Sequence, residues 1–182
     1  MLKLNENPPV LWPENTFATE LSTPWYVAHT KSRNEKALAN DLIRRNINYF
    51  LPMIWKIRHQ RGRKIRSLLP LFSGYLFFCC RLEKRSSVLK TNRVANIIVV
   101  KNQKKLINEL AAIEQAIKAG AELRPHKYIK KGQRCSVVSG PLQNLQGIVI
   151  KTKNTTRLVL QIDILGQSAS LEVDTDLIEP IE

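Results

Sequence analysis

The chain lacks nearly everything that membrane insertion, secretion, disulfide stapling or catalysis would require. No apolar run among its 182 residues approaches the ~20 residues of a membrane span. The opening, MLKLNENPPVLWPENTF, has neither the basic start nor the apolar stretch of a signal peptide. The expected compartment is therefore the cytoplasm, with no membrane partner. Cysteine is scarce: three residues, two of them adjacent (Cys79 and Cys80), make a poor disulfide framework. With no C-x-x-C pair and no nearby pair of histidines they also lack metal-ligand spacing, and they read as buried apolar thiols. His29, His59 and His126 stand in unlike contexts, and no serine or cysteine has a nucleophile motif around it. A glycine-rich phosphate loop is missing as well. The sequence thus predicts no enzyme, no metal and no cofactor.

Acidic residues are also few, 15 against 29 lysines and arginines, which leaves a net charge of +14. The surplus is not spread evenly. Residues 25–100 carry net +13 and residues 101–131 net +5, whereas 1–24 and 132–182 are each net −2. Such asymmetry suggests two domains with different partners, one of them a polyanion. A hydrophobic content of 43% is ample for a folded core, and the length suits one ordinary domain or two small ones.

Residues 1–24 are polar, hold four prolines and show no periodicity, so they are expected to form a flexible extension. WYVAHTK (25–31) reads as a strand. Ser32 and Glu35 then have the spacing of a capping box for a helix over about 33–46. Leu38, Leu42 and Ile43 would face the core, and Arg33, Lys36, Asn40 and Arg44 would form a polar stripe, either a solvated face or a functional one. YFLPMIWKI (49–57) and the return through IRSLLPLFSGYLFFCC flank a hairpin tip at Gly62, with six Lys or Arg between Lys56 and Arg66. A short helix over 82–91, a buried strand over 94–100 and a helix over 103–120 follow, the last with a Leu106, Leu110, Ile113 and Ile117 stripe stopped by Gly120. LRPHKYIKKG looks like a linker, placed at 121–131. Strand-like runs at RCSVV, QGIVIKT, RLVLQIDI and SASLEV make 132–182 a small β-barrel. The fold class is α+β: an antiparallel-sheet α/β sandwich over 25–120 followed by the barrel.

GYLFFCC poses a specific problem. On an extended chain Tyr75, Phe77 and Cys79 point to one face, and Leu76, Phe78 and Cys80 to the other. If the helices pack mainly on one face, the Tyr75 and Phe77 side is left as an apolar patch, which suits a protein partner. The alternative is a permanent cover by the C-terminal domain or a second layer.

WYVAHTKSRNEK, PLFSGYLFF and GQRCSVVSGPLQNLQGIVIKT, in that order and spacing, resemble the NusG family of transcription elongation factors over about residues 25–182. The tail resembles a KOW motif. The resemblance implies a NusG N-terminal-type domain and a five-stranded KOW barrel, and a monomer that binds the clamp helices of RNA polymerase and suppresses pausing. The family's clamp-binding patch falls on Phe72, Tyr75 and Phe77, with His29 beside them. Ser86 and Ser87 occupy the stretch that reaches a second polymerase contact. Leu165 aligns with the loop through which the KOW domain takes a further partner, a small-subunit ribosomal protein or, in the reverse outcome, Rho. Ser73 stands where the family usually has proline. The basic excess is more like the specialised paralogues, RfaH and regulators of polysaccharide operons, which act as antiterminators. In RfaH the tail can also fold as a helical hairpin over the patch. Here the β-branched residues, Pro141 and the glycines of the tail favour strands.

Lys31, Arg33, Lys36, Arg44, Arg45, Arg58, Arg61, Arg63 and Lys64 are the candidate contacts to DNA in the elongation complex. Clustered like charges on one hairpin repel unless an anion approaches, which solubility alone explains poorly. A ribosome-associated, RNA-binding KOW protein is the competing class, but it would need its charge at the acidic barrel.

Overall fold

The computed structural model describes residues 7–181 apart from 15, 17, 18, 20–22, 61, 130, 131, 153 and 154. The chain divides into two compact units, Met1–Gln103 and Lys104–Glu182.

The first unit is built on an antiparallel sheet. Its strands are β1 (Leu11–Trp12), β2 (Trp25–Thr30), β3 (Asn48–Phe50), β6 (Tyr75–Cys79) and β7 (Val94–Val99), in the order β1-β3-β6-β2-β7. The pairing of β2 with β6 sets Val27 opposite Phe77 and His29 opposite Tyr75. Alternation then sends Tyr26, Ala28, Leu76, Phe78 and Cys80 to one face. There they form a core with Leu38, Ala39 and Leu42 of helix α1 (Glu35–Arg44) and Val88 of α2 (Arg85–Leu89). The cysteines are buried and free. Burial raises the Cys79 thiol to about 11.

The helix expected to close the 25–120 domain falls, from Lys104 on, in the second unit, and five further features differ from the sequence reading. The 1–24 extension is not featureless: Leu11–Trp12 pair with Phe50 and Tyr49, Leu51 donates its N–H to the Val10 carbonyl, and Val10 and Trp12 pack against the core. These few apolar residues are too short a run for periodicity to register. The single strand expected over 49–57 is broken at Pro52. It becomes β3 and then β4 (Met53–Gln60), which pairs with β5 (Arg63–Pro70) as a separate two-stranded sheet. The strand at 94–100 is an edge strand rather than a buried one, with Val99 54% exposed.

The expected capping box does not form either. Arg33 adopts φ +58°, α1 begins only at Glu35, and Asn34 makes no side-chain cap. Instead the Asn34 amide donates to the Ser32 carbonyl and accepts from Arg93. Glu35 accepts a hydrogen bond from the Gly74 N–H at 2.7 Å, tying the first turn of α1 to the start of β6. A tertiary donor has taken the carboxylate that the local motif would have used.

The second unit holds α3 (Gln103–Lys118, from its second residue), β8 (Arg124–His126), β9 (Gln133–Val137), β10 (Gln146–Lys151), β11 (Thr156–Ile162), β12 (Gln167–Glu172) and β13 (Ile178–Pro180). Its strands form one antiparallel sheet, ordered β13-β9-β10-β11-β12-β8. The tail is therefore in strands, with Leu158, Val159, Leu160, Ile162, Ala169 and Leu171 buried. Gly147 sits where any Cβ would lie 2.7 Å from the Val159 carbonyl, so the β10–β11 pairing requires glycine there.

The stretch read as a linker supplies β8, the fifth difference. It pairs with β12, and the Ser168 hydroxyl lies within reach of the His126 and Lys127 carbonyls. Backbone pairing recruits a three-residue segment that has no hydrophobic pattern of its own. Helix α3 is tied to the same unit: Gln115 donates to the Gln143 carbonyl, and Glu109 accepts from the Asp163 N–H.

Candidate functional site

The second face of the first sheet is assembled by register. Opposed across β2 and β6, the His29 and Tyr75 rings stack with centroids 5.0 Å apart and planes 21° from parallel. One step along β6, Phe77 meets Phe50 of β3 at 6.5 Å and Phe72 edge-on at 6.2 Å. His29, Tyr75 and Phe77 thus make an aromatic row along one face of the sheet, with Phe72 packed edge-on against Phe77.

Their exposure is not what alternation suggested. His29 is exposed and Tyr75 half-buried, but Phe72 and Phe77 are 2% and 0% exposed. Alternation identifies a face without counting the neighbours that other segments bring to it, here Phe50 and the turn that carries Phe72. Of the four, only His29 and Tyr75 present surface, and the two phenylalanines are buried.

The turn leading into β6 is firmly held despite Ser73. Gly74 has φ +84°, donates to Glu35 and accepts from the Thr30 N–H at 2.8 Å, while Tyr75 N–H bonds to the Phe72 carbonyl. An L-side chain at Gly74 would be strained by that φ. Glu35, which the sequence reading gave to a capping box, and Gly74, to which it gave no role, hold the turn that leads into Tyr75.

The basic candidates divide into two groups. Lys36 is half-buried and donates to the Leu68 carbonyl and to Asn7, and burial lowers its pKa. It is used within the fold. Lys31 bonds the Asn92 side chain at 2.7 Å. Arg44 is exposed but pairs with Asp41, which Arg93 also bonds. Burial alone would raise the Asp41 carboxyl, but the two guanidiniums outweigh it and hold it below the usual range. Arg33, Arg45, Arg63 and Lys64 are exposed. Arg61 lies outside the described residues, as does the side chain of Arg58, whose backbone pairs with Ile65 in the hairpin.

Sequence reasoning overlooked the apolar content of that hairpin. Trp55 and Ile57 are 45% and 48% exposed, and the Arg66 guanidinium lies 4.9 Å from the Trp55 ring centroid. The alternation Trp55, Ile57, His59 was the signal that could have revealed it.

Ser86 is exposed on α2 and bonds the Glu83 carbonyl, and Ser87 is half-buried. Leu165 closes a 3-10 turn, Asp163–Leu165, between β11 and β12, and is half-buried. Asp163 in that turn is paired with Lys105 and accepts from the Tyr128 hydroxyl at 2.8 Å.

A sequence model of the family described as transcription termination factor NusG matches residues 23–115, just over half of the chain. The chain belongs to the NusG family. The matched span carries the whole His29–Phe77 row and the basic hairpin. Curated relatives agree: the transcription termination/antitermination proteins NusG of Rickettsia conorii and Rickettsia felis are each 24% identical over 165 residues, covering 82% of this chain and 86% of theirs. Among solved structures, Thermotoga maritima NusG aligns over 91% of this chain and 99% of its own at 18% identity and TM-score 0.46. The MjSpt4:Spt5 complex aligns over 87% and 97% at 15% identity and TM-score 0.28. The protein is thus a NusG-family transcription termination/antitermination factor, of a family of transcription factors rather than enzymes. Among the described residues no helix is long and apolar enough to cross a membrane.

Proposed function

We propose that this NusG-family chain binds the clamp helices of RNA polymerase through the His29–Tyr75 end of the aromatic row and acts as an elongation and antitermination factor. The observation that carries the reading is the stacked, accessible His29–Tyr75 pair, on the same sheet face as buried Phe77. A partner docking there meets a prearranged aromatic surface, which is the kind of anchor that dominates interface energetics. Nearby DNA is taken by the exposed bases of the first unit, Arg33, Arg45, Arg63 and Lys64, together with Lys31, Arg44, Arg58 and Arg61. Lys36 has its ammonium occupied inside the fold and serves as a support. Ser86 and Ser87 offer a second polymerase contact, and the Leu165 turn offers the KOW unit a docking point for a further protein, a small-subunit ribosomal protein or Rho. The basic excess favours the specialised, operon-selective type of factor.

Multi-round transcription by purified polymerase across a terminator, with and without Rho, tests this reading. Read-through that rises with the parent chain and falls with Tyr75→Ala is the expected result. Rho-enhanced termination would assign the opposite outcome to the same fold. No effect of the parent chain under either condition would remove the proposal.

A further inference from the structure

We propose that the Trp55 face of the β4–β5 hairpin is a stacking platform for unpaired bases, so that the hairpin takes single-stranded DNA in preference to duplex. The inference deepens the reading of the hairpin as a DNA contact and rests on it.

Phosphate binding alone gives no use for an exposed indole. Of the chain's three tryptophans, Trp25 is fully buried and Trp12 is half-buried against the core, whereas Trp55 is 45% exposed. Arg66 stacks over its ring, which fixes the indole and adds a charge beside it. The register places Ile57 opposite Arg66 and His59 opposite Lys64, so one strip of the hairpin runs aromatic, aliphatic, basic toward the tip. Residues 42–82 contain no acid at all. Among the described residues Lys56, Arg63 and Lys64 enter no ion pair, so their charge is available to an approaching polyanion.

This is the chemistry of a single-strand site: cations follow the backbone, and an aromatic face receives a base. A duplex keeps its base faces stacked inside and would leave Trp55 and Ile57 against water or sugar. An apolar protein partner would match Trp55 but not the surrounding field of positive charge.

The test uses the full chain and the fluorescence anisotropy of end-labelled probes, a short oligo-dT, a duplex of the same length and an oligo-rU, with intrinsic tryptophan emission read on the parent. Oligo-dT is expected to quench the emission and to bind more tightly than the duplex. Trp55→Ala should weaken oligo-dT binding about tenfold or more, the range for losing one base–aromatic stack. Trp55→Phe should retain most of the affinity, and unchanged circular dichroism would show that both variants fold. The salt slope should be the same for Trp55→Ala and parent, because the phosphate contacts persist; Arg63→Ser with Lys64→Ser should flatten it.

Equal binding of duplex and single strand, tighter binding of oligo-rU, or unaltered affinity in Trp55→Ala would each overturn the proposal. So would loss of polymerase binding in Trp55→Ala with oligonucleotide binding intact, which would give the face to a protein. Salt-dependent binding indifferent to Trp55 sinks this inference alone, while no oligonucleotide binding by the parent sinks the DNA-contact reading as well.

Discussion

Tyr75 and Phe77 are two residues apart on one strand and one face, yet the structure assigns them opposite consequences on truncation. Phe77 is fully buried with Phe50 and Phe72 against its ring. Its replacement by alanine removes a buried aromatic and leaves a cavity, a change that costs about 3–5 kcal/mol. For a domain of about 100 residues each kcal/mol shifts the melting temperature by about 4–8 °C, so a loss well above 10 °C is expected. Tyr75 is half-buried and, among the described residues, its one ring contact is exposed His29, so Tyr75→Ala should cost about 1 kcal/mol or less of stability. Its effect should fall on binding instead. Losing a central aromatic at an interface costs about 2 kcal/mol or more, roughly a thirtyfold loss of affinity for polymerase clamp helices. Thermal unfolding by circular dichroism and a clamp-helix titration, run on both variants, separate the effects. A Tyr75→Ala chain that folds and binds like the parent would refute the interface, and a Phe77→Ala chain of parental stability would refute the burial argument.

Three further outcomes follow from named contacts. Glu35→Ala leaves the Gly74 N–H without its carboxylate and should destabilise the first unit by about 1.5–3 kcal/mol in urea unfolding, with Glu35→Gln losing less. Because Gly74 precedes Tyr75, the same variant should weaken polymerase binding beyond any loss of folded fraction. In the second unit, burial, with Asp163 adding to it, raises the Glu109 carboxyl to about 7, above the ordinary glutamate range near ~4.3. A raised acid stabilises the fold fully below its unfolded value, and that contribution disappears as pH rises through about 7. Asp41 and Asp163 are lowered and work the other way, losing their contribution only in strong acid, so a scan between pH 5 and 8 isolates Glu109. Parent stability should fall across that window relative to Glu109→Gln, and parallel curves would show that Glu109 is ionised throughout.

The sequence by itself determined the larger outline. Apolar runs and period-3.6 patterns located α1, α3 and most strands, because a run such as Tyr26–Ala28 must be buried and a stripe such as Leu106–Ile113 must bury one side, a requirement carried in its spacing. Composition separated a basic first part from an acidic tail. Three motif blocks carried the family, and the resemblance brought His29, Phe72, Tyr75 and Phe77 together as one expected patch. What the tertiary structure alone decided is which members of that set reach the surface. Exposure depends on Phe50, twenty-seven residues from Phe77, and no local pattern encodes that meeting. The same holds for Glu35, whose carboxylate satisfies Gly74 rather than its own helix, and for Lys36, whose ammonium is consumed by the Leu68 carbonyl. It holds also for Leu11–Trp12 and Arg124–His126, which are strands only because a neighbour offers unpaired backbone groups. Local spacing fixes which side of an element is apolar. Long-range contact fixes which donors, acceptors and rings are left over for a partner.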